Sequence, residues 1–226
     1  MTLFSSTLRN ELFSKKSLVV IAFYILSAYL VGKYGTTLDT LFSEDGPSVL
    51  VDVLLAIYAL LGYLFSSVLF SGLIAEEVES QTMRYLTPYL SRERIYLEKY
   101  LATVCYFLIL TVISLVMLFL THRTLSFPIY SFLAILGFYL YIQSLVILVS
   151  TIVSSQRLSN LISLLISILF PLLYSLSLLK KWFIFKIIRW IFPYYYLSKT
   201  WEITVLYLLS ILCIWIGIKI FNKKEI

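Results

Sequence analysis

The chain has 226 residues, of which 61% are hydrophobic and 13% charged, and its 18 Lys+Arg against 12 Asp+Glu leave a formal net charge of +6. A soluble domain is about half apolar and a quarter charged, so a mean hydropathy of +0.95 excludes a water-facing fold and leaves an all-α membrane protein. The surplus of cations then suits anionic lipid head groups or acidic partners, and no nucleic-acid-binding module is visible.

Residues 1–16 carry Leu3, Phe4, Leu8, Glu11 and Leu12 at helical spacing, with Arg9, Lys15 and Lys16 within reach of phosphates. This predicts a short interfacial helix, although a frayed tail fits the spacing as well. Charged residues then bound six apolar runs, of 16, 23, 23, 33, 22 and 16 uncharged residues. About 20 residues cross the hydrocarbon, so the prediction is six spans at 17–32, 53–75, 100–122, 129–153, 158–179 and 201–219. Lys33 and Lys219 can snorkel to the interface and make the short first and last spans workable. The 33-residue run is too short for two crossings and a turn, and Pro128 marks the start of a single helix. No small-x-small motif follows the first run, which argues against a signal peptide. Cys105 and Cys213 lie in apolar runs and read as small hydrophobes.

Orientation follows from the basic residues at alternate ends. With the N-terminus inside, Arg9, Lys15, Lys16, Arg84, Arg92, Arg94, Lys99, Arg157, Lys219, Lys223 and Lys224 are cytoplasmic, eleven against seven outside. Five of those seven lie in 180–199: Lys180, Lys181, Lys186, Arg189 and Lys199. A spanning helix centred on Lys186 and Arg189 would cost several kcal/mol. The segment therefore reads as an interfacial or re-entrant helix between spans five and six, with Pro193 and Tyr194 to Tyr196 at head-group depth. The competing reading is a seventh, partial crossing that puts the C-terminus outside.

The loop 76–99 joins spans two and three. Glu76, Glu77 and Glu79 open it, Arg92, Arg94 and Lys99 close it, and Pro88 divides it, with Ser91 placed as an N-cap. By charge alone this is a solvated hairpin or a docking surface. An acidic cluster at the end of span two, then Thr82, Arg84, Tyr85 and Leu86, then Ser91, Arg92, Ile95 and Lys99 entering span three resembles the cytoplasmic signature of ABC-2 type transporter permeases. The six spans, the N-terminal helix and the segment before the last span extend the resemblance over nearly the whole chain. Two departures stand out: Gln81 occupies the position before Thr82 where the family commonly has Gly, and Pro88 lies four residues before Arg92 where the family has three.

The resemblance implies a permease subunit that pairs with a second copy, as a homodimer or with a related chain. It also implies two separate ATP-binding subunits, each gripping one 76–99 loop. The chain has no Gly-x-x-x-x-Gly-Lys-Ser/Thr loop, so ATP and Mg would be bound by those partners and no cofactor by this chain. ATP-driven closure would push the loop and rock the helices, exporting a lipid-like, peptide or small amphipathic substrate by alternating access. In the family, spans two and five line the path.

Here span five offers Asn160, Ser163, Ser167, Pro171 and Tyr174 along one face, and span two offers Ala59, Gly62, Ser66 and Ser67. The hydroxyls could equally bond their own helix carbonyls. Gln143 in span four reads as an interhelical hydrogen-bond partner. An enzyme is poorly supplied: the chain has one histidine, His122, beside Arg123, and lacks an intramembrane acid pair. Glu76-Glu77 lacks the arginine that a CAAX-type intramembrane protease needs at position 81, and Ser71-Gly72 lacks the preceding glycine of a rhomboid-like protease. A small channel or a passive immunity protein, with no ATPase partner, is the alternative to a transporter.

Overall fold

The computed structural model describes residues 3–35, 49–121, 129–179, 189–197 and 202–224, and these are helical, with no strand among them. The α-helices are α1 (Leu3–Leu12), α2 (Lys15–Lys33), α3 (Val49–Phe70), α4 (Ala75–Glu79), α5 (Met83–Leu86), α6 (Arg92–Thr121), α7 (Ile129–Ile152), α8 (Gln156–Leu179) and α9 (Ile203–Lys223). Two 3-10 turns, Arg189–Ile191 and Pro193–Tyr195, precede α9. Six helices, α2, α3, α6, α7, α8 and α9, are long and apolar enough to cross a membrane. The expectations placed on His122, Pro128, Lys180, Lys181, Lys186, Lys199 and Trp201 lie outside the described residues.

Charge was a conservative guide to where helices stop. α6 begins about two turns before the expected third span, because a helix needs hydrogen bonds and not apolar side chains, and Arg94 and Glu98 pair one turn apart at 2.7 Å on its surface. Ser91 sits one residue before α6, its hydroxyl facing the Arg94 amide at 3.4 Å. Ser14 caps α2 by accepting from the Ser17 amide at 3.1 Å. α1 exists where the spacing put it. Its apolar residues are covered by protein: Leu8 and Leu12 pack on the main core, and Leu3 packs on a second cluster with Ile95 and Tyr96. The Phe4 amide donates to Glu98 Oε2 at 3.0 Å, tying α1 to the start of α6.

Cross-contacts fix the helix directions. Ser17 meets Tyr106 and Ser114 meets Tyr24, so α2 and α6 run parallel. Ser71 meets Asn160 and Ser67 meets Ser167, so α3 and α8 run antiparallel. Tyr207 bonds Leu133 and Lys224 bonds Thr151, so α7 and α9 run parallel. Alternation then brings Leu3, the 71–91 loop and Lys224 to one end of the bundle.

The core is aromatic. Tyr24 and Tyr58 stack at 4.1 Å and Phe107 and Tyr139 at 5.2 Å, all four fully buried. Burying phenols requires partners. Tyr24 and Tyr139 hydroxyls share a hydrogen bond of 2.8 Å, Tyr58 donates to the Tyr24 carbonyl at 2.8 Å, and Tyr106 shares one of 2.6 Å with Ser17.

Of the segment before α9, residues 189–197 are described, and most of the expected interfacial or re-entrant helix lies outside them. Over 189–197 the chain forms 3-10 turns, not a continuous amphipathic helix. Phe192 and Tyr196 are buried, Phe170 of α8 meets Phe192 edge-on at 5.3 Å, and Tyr141 of α7 donates to the Ile191 carbonyl at 3.2 Å. Pro193 explains the break: it has no amide hydrogen and fits the first position of a new turn. Trp190 and Ile191 stay exposed.

Candidate functional site

The 71–91 loop is built as a braced hairpin. α3 ends at Phe70, and the Ile74 and Ala75 amides donate to Ser150 Oγ of α7 at 3.0 and 3.1 Å, so a hydroxyl from a neighbouring span covers the start of α4. The three acids of the loop divide between two helices, one bound to α6 and two to the start of α8. Glu77 Oε1 pairs with Lys99 Nζ at 2.6 Å, and that ammonium, 1% exposed, also donates to the Leu73 carbonyl at 3.1 Å. Glu76 Oε2 accepts from the Gln156 side-chain amide at 2.8 Å. Glu79 Oε2 accepts from the Gln156 backbone amide at 2.7 Å. Two carboxylates thus sit at the N-terminus of α8, where free amides and the helix dipole favour negative charge.

Arg92 likewise turns inward. Its Nη1 donates to the Phe221, Asn222 and Lys224 carbonyls at 3.4, 3.1 and 2.6 Å, capping the end of α9. Lys224 Nζ in turn donates to the Thr151 and Val153 carbonyls at the end of α7, at 2.8 and 3.0 Å. A chain of contacts therefore runs from the loop through α9 to α7. Ile95 is buried beneath the loop and Leu86 packs on the same cluster.

What remains outward is the tip. Thr82 and Arg84 are exposed, and Tyr85 and Tyr89 are 78% and 87% exposed. Gln81 holds φ at +58°, the one left-handed non-glycine among the described residues, and this turns the chain between α4 and α5.

The face expected to line a path is an internal seam between α3 and α8. Tyr63 meets Phe170 edge-on at 5.4 Å, Ser67 Oγ faces Ser167 Oγ at 3.2 Å, and Ser71 Oγ donates to Asn160 Oδ1 at 2.7 Å. Ser159 Oγ donates to the Ser71 carbonyl. Gly72 is required here, since a Cβ would stand 2.9 Å from Gln156 Cγ. Ser67 and Ser167 also bond their own helix carbonyls, Leu64 and Leu164, at 2.8 Å. Ser66 and Ser163 do not: both are buried, and neither hydroxyl finds a partner among the described residues. Gly62 faces span four instead, where a Cβ would stand 3.2 Å from the Tyr139 ring. Tyr174 lies 5.7 Å from the Tyr194 ring, at the far end of the seam.

Gln143 differs from expectation. It is fully buried and neither amide atom finds a partner among the described residues, so the expected interhelical hydrogen bond is not seen there. Gln156 was missed, although Ser154-Ser155-Gln156 is a helix-start signal. Ser150 and Lys224 were missed because their partners are backbone groups of distant helices, which no local pattern reports. Comparison with protein-family profiles and with curated proteins finds no match.

Proposed function

We propose that this chain is the membrane-spanning subunit of an ABC-2 type exporter. It works with a second permease copy and two separate ATP-binding subunits that carry ATP and Mg, with both termini and the loop on the cytoplasmic side. The observation that carries the reading is the division of labour in the loop. Its charges Glu76, Glu77, Glu79 and Arg92 are engaged with α8, α6 and α9, while Tyr85 and Tyr89 face outward at the tip. A rigid hairpin with an exposed aromatic tip suits a part that is gripped from outside and transmits the push to three helices. The left-handed backbone at Gln81, where the resembled family has glycine, supports the same reading.

The test is whether a neighbouring reading frame encodes a Walker-type ATPase and whether that subunit co-purifies with this chain, together with ATP-driven transport in vesicles. Tyr85→Ala with Tyr89→Ala releases the ATPase. Glu79→Ala and Arg92→Ala keep it bound and uncouple hydrolysis from transport. Undiminished association and transport in all of these variants would leave a channel or immunity protein as the better reading.

A further inference from the structure

A cavity of about 570 Å³ lies at the end of the bundle that carries the N-terminus, within the range of small-ligand sites. The polar stripe of α1, Thr7, Asn10 and Glu11 with Ser14 beyond it, forms one wall, while the apolar stripe of the same helix packs away on the core. Opposite stand Glu76 and Glu77 of α4, Lys99 of α6, and Gln156 and Asn160 of α8. Val68, Leu69 and Leu73 make an apolar side, and Lys15 and Lys16 of α2 complete the lining.

The charges are arranged in depth. Lys99 is fully buried and already committed to Glu77 Oε1 and the Leu73 carbonyl, so it offers little to a ligand. Glu77 Oε2 is buried with no partner among the described residues, and Glu11 faces the same space. Lys15 and Lys16 are exposed. A cation is therefore wanted inside and an anion outside. A bare cation would be repelled by the two lysines, and a bare anion by the acids. Three lysines and three glutamates line the space, so a neutral zwitterion matches it.

We infer that this cavity binds a phosphoethanolamine group, its ammonium seated on Glu77 and Glu11 and its phosphate on Lys15 and Lys16. The group is either the head of a phospholipid, with acyl chains leaving along Val68 and Leu69, or a free phosphodiester with the same neutral zwitterionic head, of the glycerophosphoethanolamine kind. The inference stands without the transporter reading.

Burial lifts Glu11 to about 7, with Lys99 lowering it, Glu76 raising it and Lys16 lowering it. Those groups, with Glu77 on α4, Lys15 on α2 and the Tyr106 hydroxyl of α6, are the titratable groups around it; α8 contributes only the neutral Gln156 and Asn160. An ammonium ligand needs the ionised carboxylate, so binding tightens as pH rises through 7. From pH 6 to pH 8 the ionised fraction rises about tenfold for a group titrating near 7, and affinity follows it.

The experiment is native mass spectrometry and binding titration on the full-length protein. The probes are phosphatidylethanolamine, phosphatidylglycerol and phosphatidylcholine in nanodiscs, and free glycerophosphoethanolamine, a phosphodiester whose charge is constant from pH 6 to pH 8. Phosphatidylethanolamine should be retained over the other two lipids, with about tenfold tighter binding at pH 8 than at pH 6. Glu11→Gln should abolish that pH dependence, and Asn10→Trp, which fills the cavity without touching a charge, should lower retention. Glu77→Gln is avoided because it strips Lys99 of its partner. Binding of the lipid alone assigns the site to a head group, and equal binding of the free zwitterion assigns it to a small molecule; either supports the inference. Equal retention of phosphatidylglycerol, or retention unchanged by Asn10→Trp, would overturn it.

Discussion

α7 and α8 are each 24 residues long and their most apolar stretches are equal in mean hydropathy, yet 61% of that stretch is buried in α7 and only 11% in α8. The difference lies in where the polar atoms are. α7 carries Tyr139, Tyr141, Gln143, Ser144, Ser150 and Thr151 around its circumference, so it must be surrounded, and α3, α6 and α9 pack on it. α8 confines Ser159, Ser163 and Ser167 to one face and sets Leu161, Leu165, Ile168 and Leu172 on the other. Lipid tails are as apolar as leucine, so a leucine face needs no protein cover, whereas a hydroxyl does. Hydropathy says that a helix belongs in the membrane; the distribution of its polar groups says how deep in the bundle it lies.

The largest test of this contrast removes a ring from α7. Phe138 is fully buried against Tyr139 and Tyr194, and Phe138→Ala should cost about 3 kcal/mol, mostly through lost packing contacts. Leu172→Ala on the outer face of α8 should cost less than about 0.5 kcal/mol. Unfolding in detergent, followed by tryptophan fluorescence, measures both. A Leu172→Ala cost that approaches the first and varies with protein concentration would mean that a second copy, not lipid, covers that face.

Smaller effects come from the bonds that hold the inner face of α8. Asn160→Leu removes the acceptor of Ser71 and should cost about 0.6–1.7 kcal/mol, the range found for hydrogen bonds between membrane helices. A double-mutant cycle with Ser71→Ala isolates the pair. Glu79→Gln weakens the charge-assisted bond to the Gln156 amide by about 1 kcal/mol, and hydrogen exchange should quicken at the first turn of α8 while α7 stays protected. Equal quickening in both helices would mean that the two are not separately anchored.

Much of the architecture was legible because it rests on local rules. Six apolar runs between charges identify the six long helices, and the spacing of Leu3, Leu8 and Leu12 identifies α1. Helix ends were less so, since Arg92, Glu93 and Arg94 continue a helix as readily as they mark an interface. The stripe Asn160, Ser163 and Ser167 was readable as one face, but its neighbour was not, because α3 meets it through contacts about 90–100 residues apart in sequence. The loop acids were legible as a cluster. That the acids divide between α6 and α8 depends on Gln156 and Lys99 arriving from elsewhere, and only packing brings them there.

The smallest predicted effect discriminates most sharply between stability and transport. Ser163 is buried on the inner face of α8 with its hydroxyl unpartnered among the described residues, unlike Ser167 one turn away, which bonds both Ser67 and its own helix. An unsatisfied buried hydroxyl is a penalty that alanine removes at almost no loss of volume. Ser163→Ala should therefore leave stability unchanged or raise it by up to about 1 kcal/mol, whereas Ser167→Ala should lower it. If the seam between α3 and α8 opens during a transport cycle, the Ser163 hydroxyl is a group that cargo or water would meet, and Ser163→Ala should reduce transport while the protein becomes no less stable. A loss of stability as large as that of Ser167→Ala would show that the hydroxyl is bonded in the membrane, and that the inner face of α8 is a structural seam along its whole length.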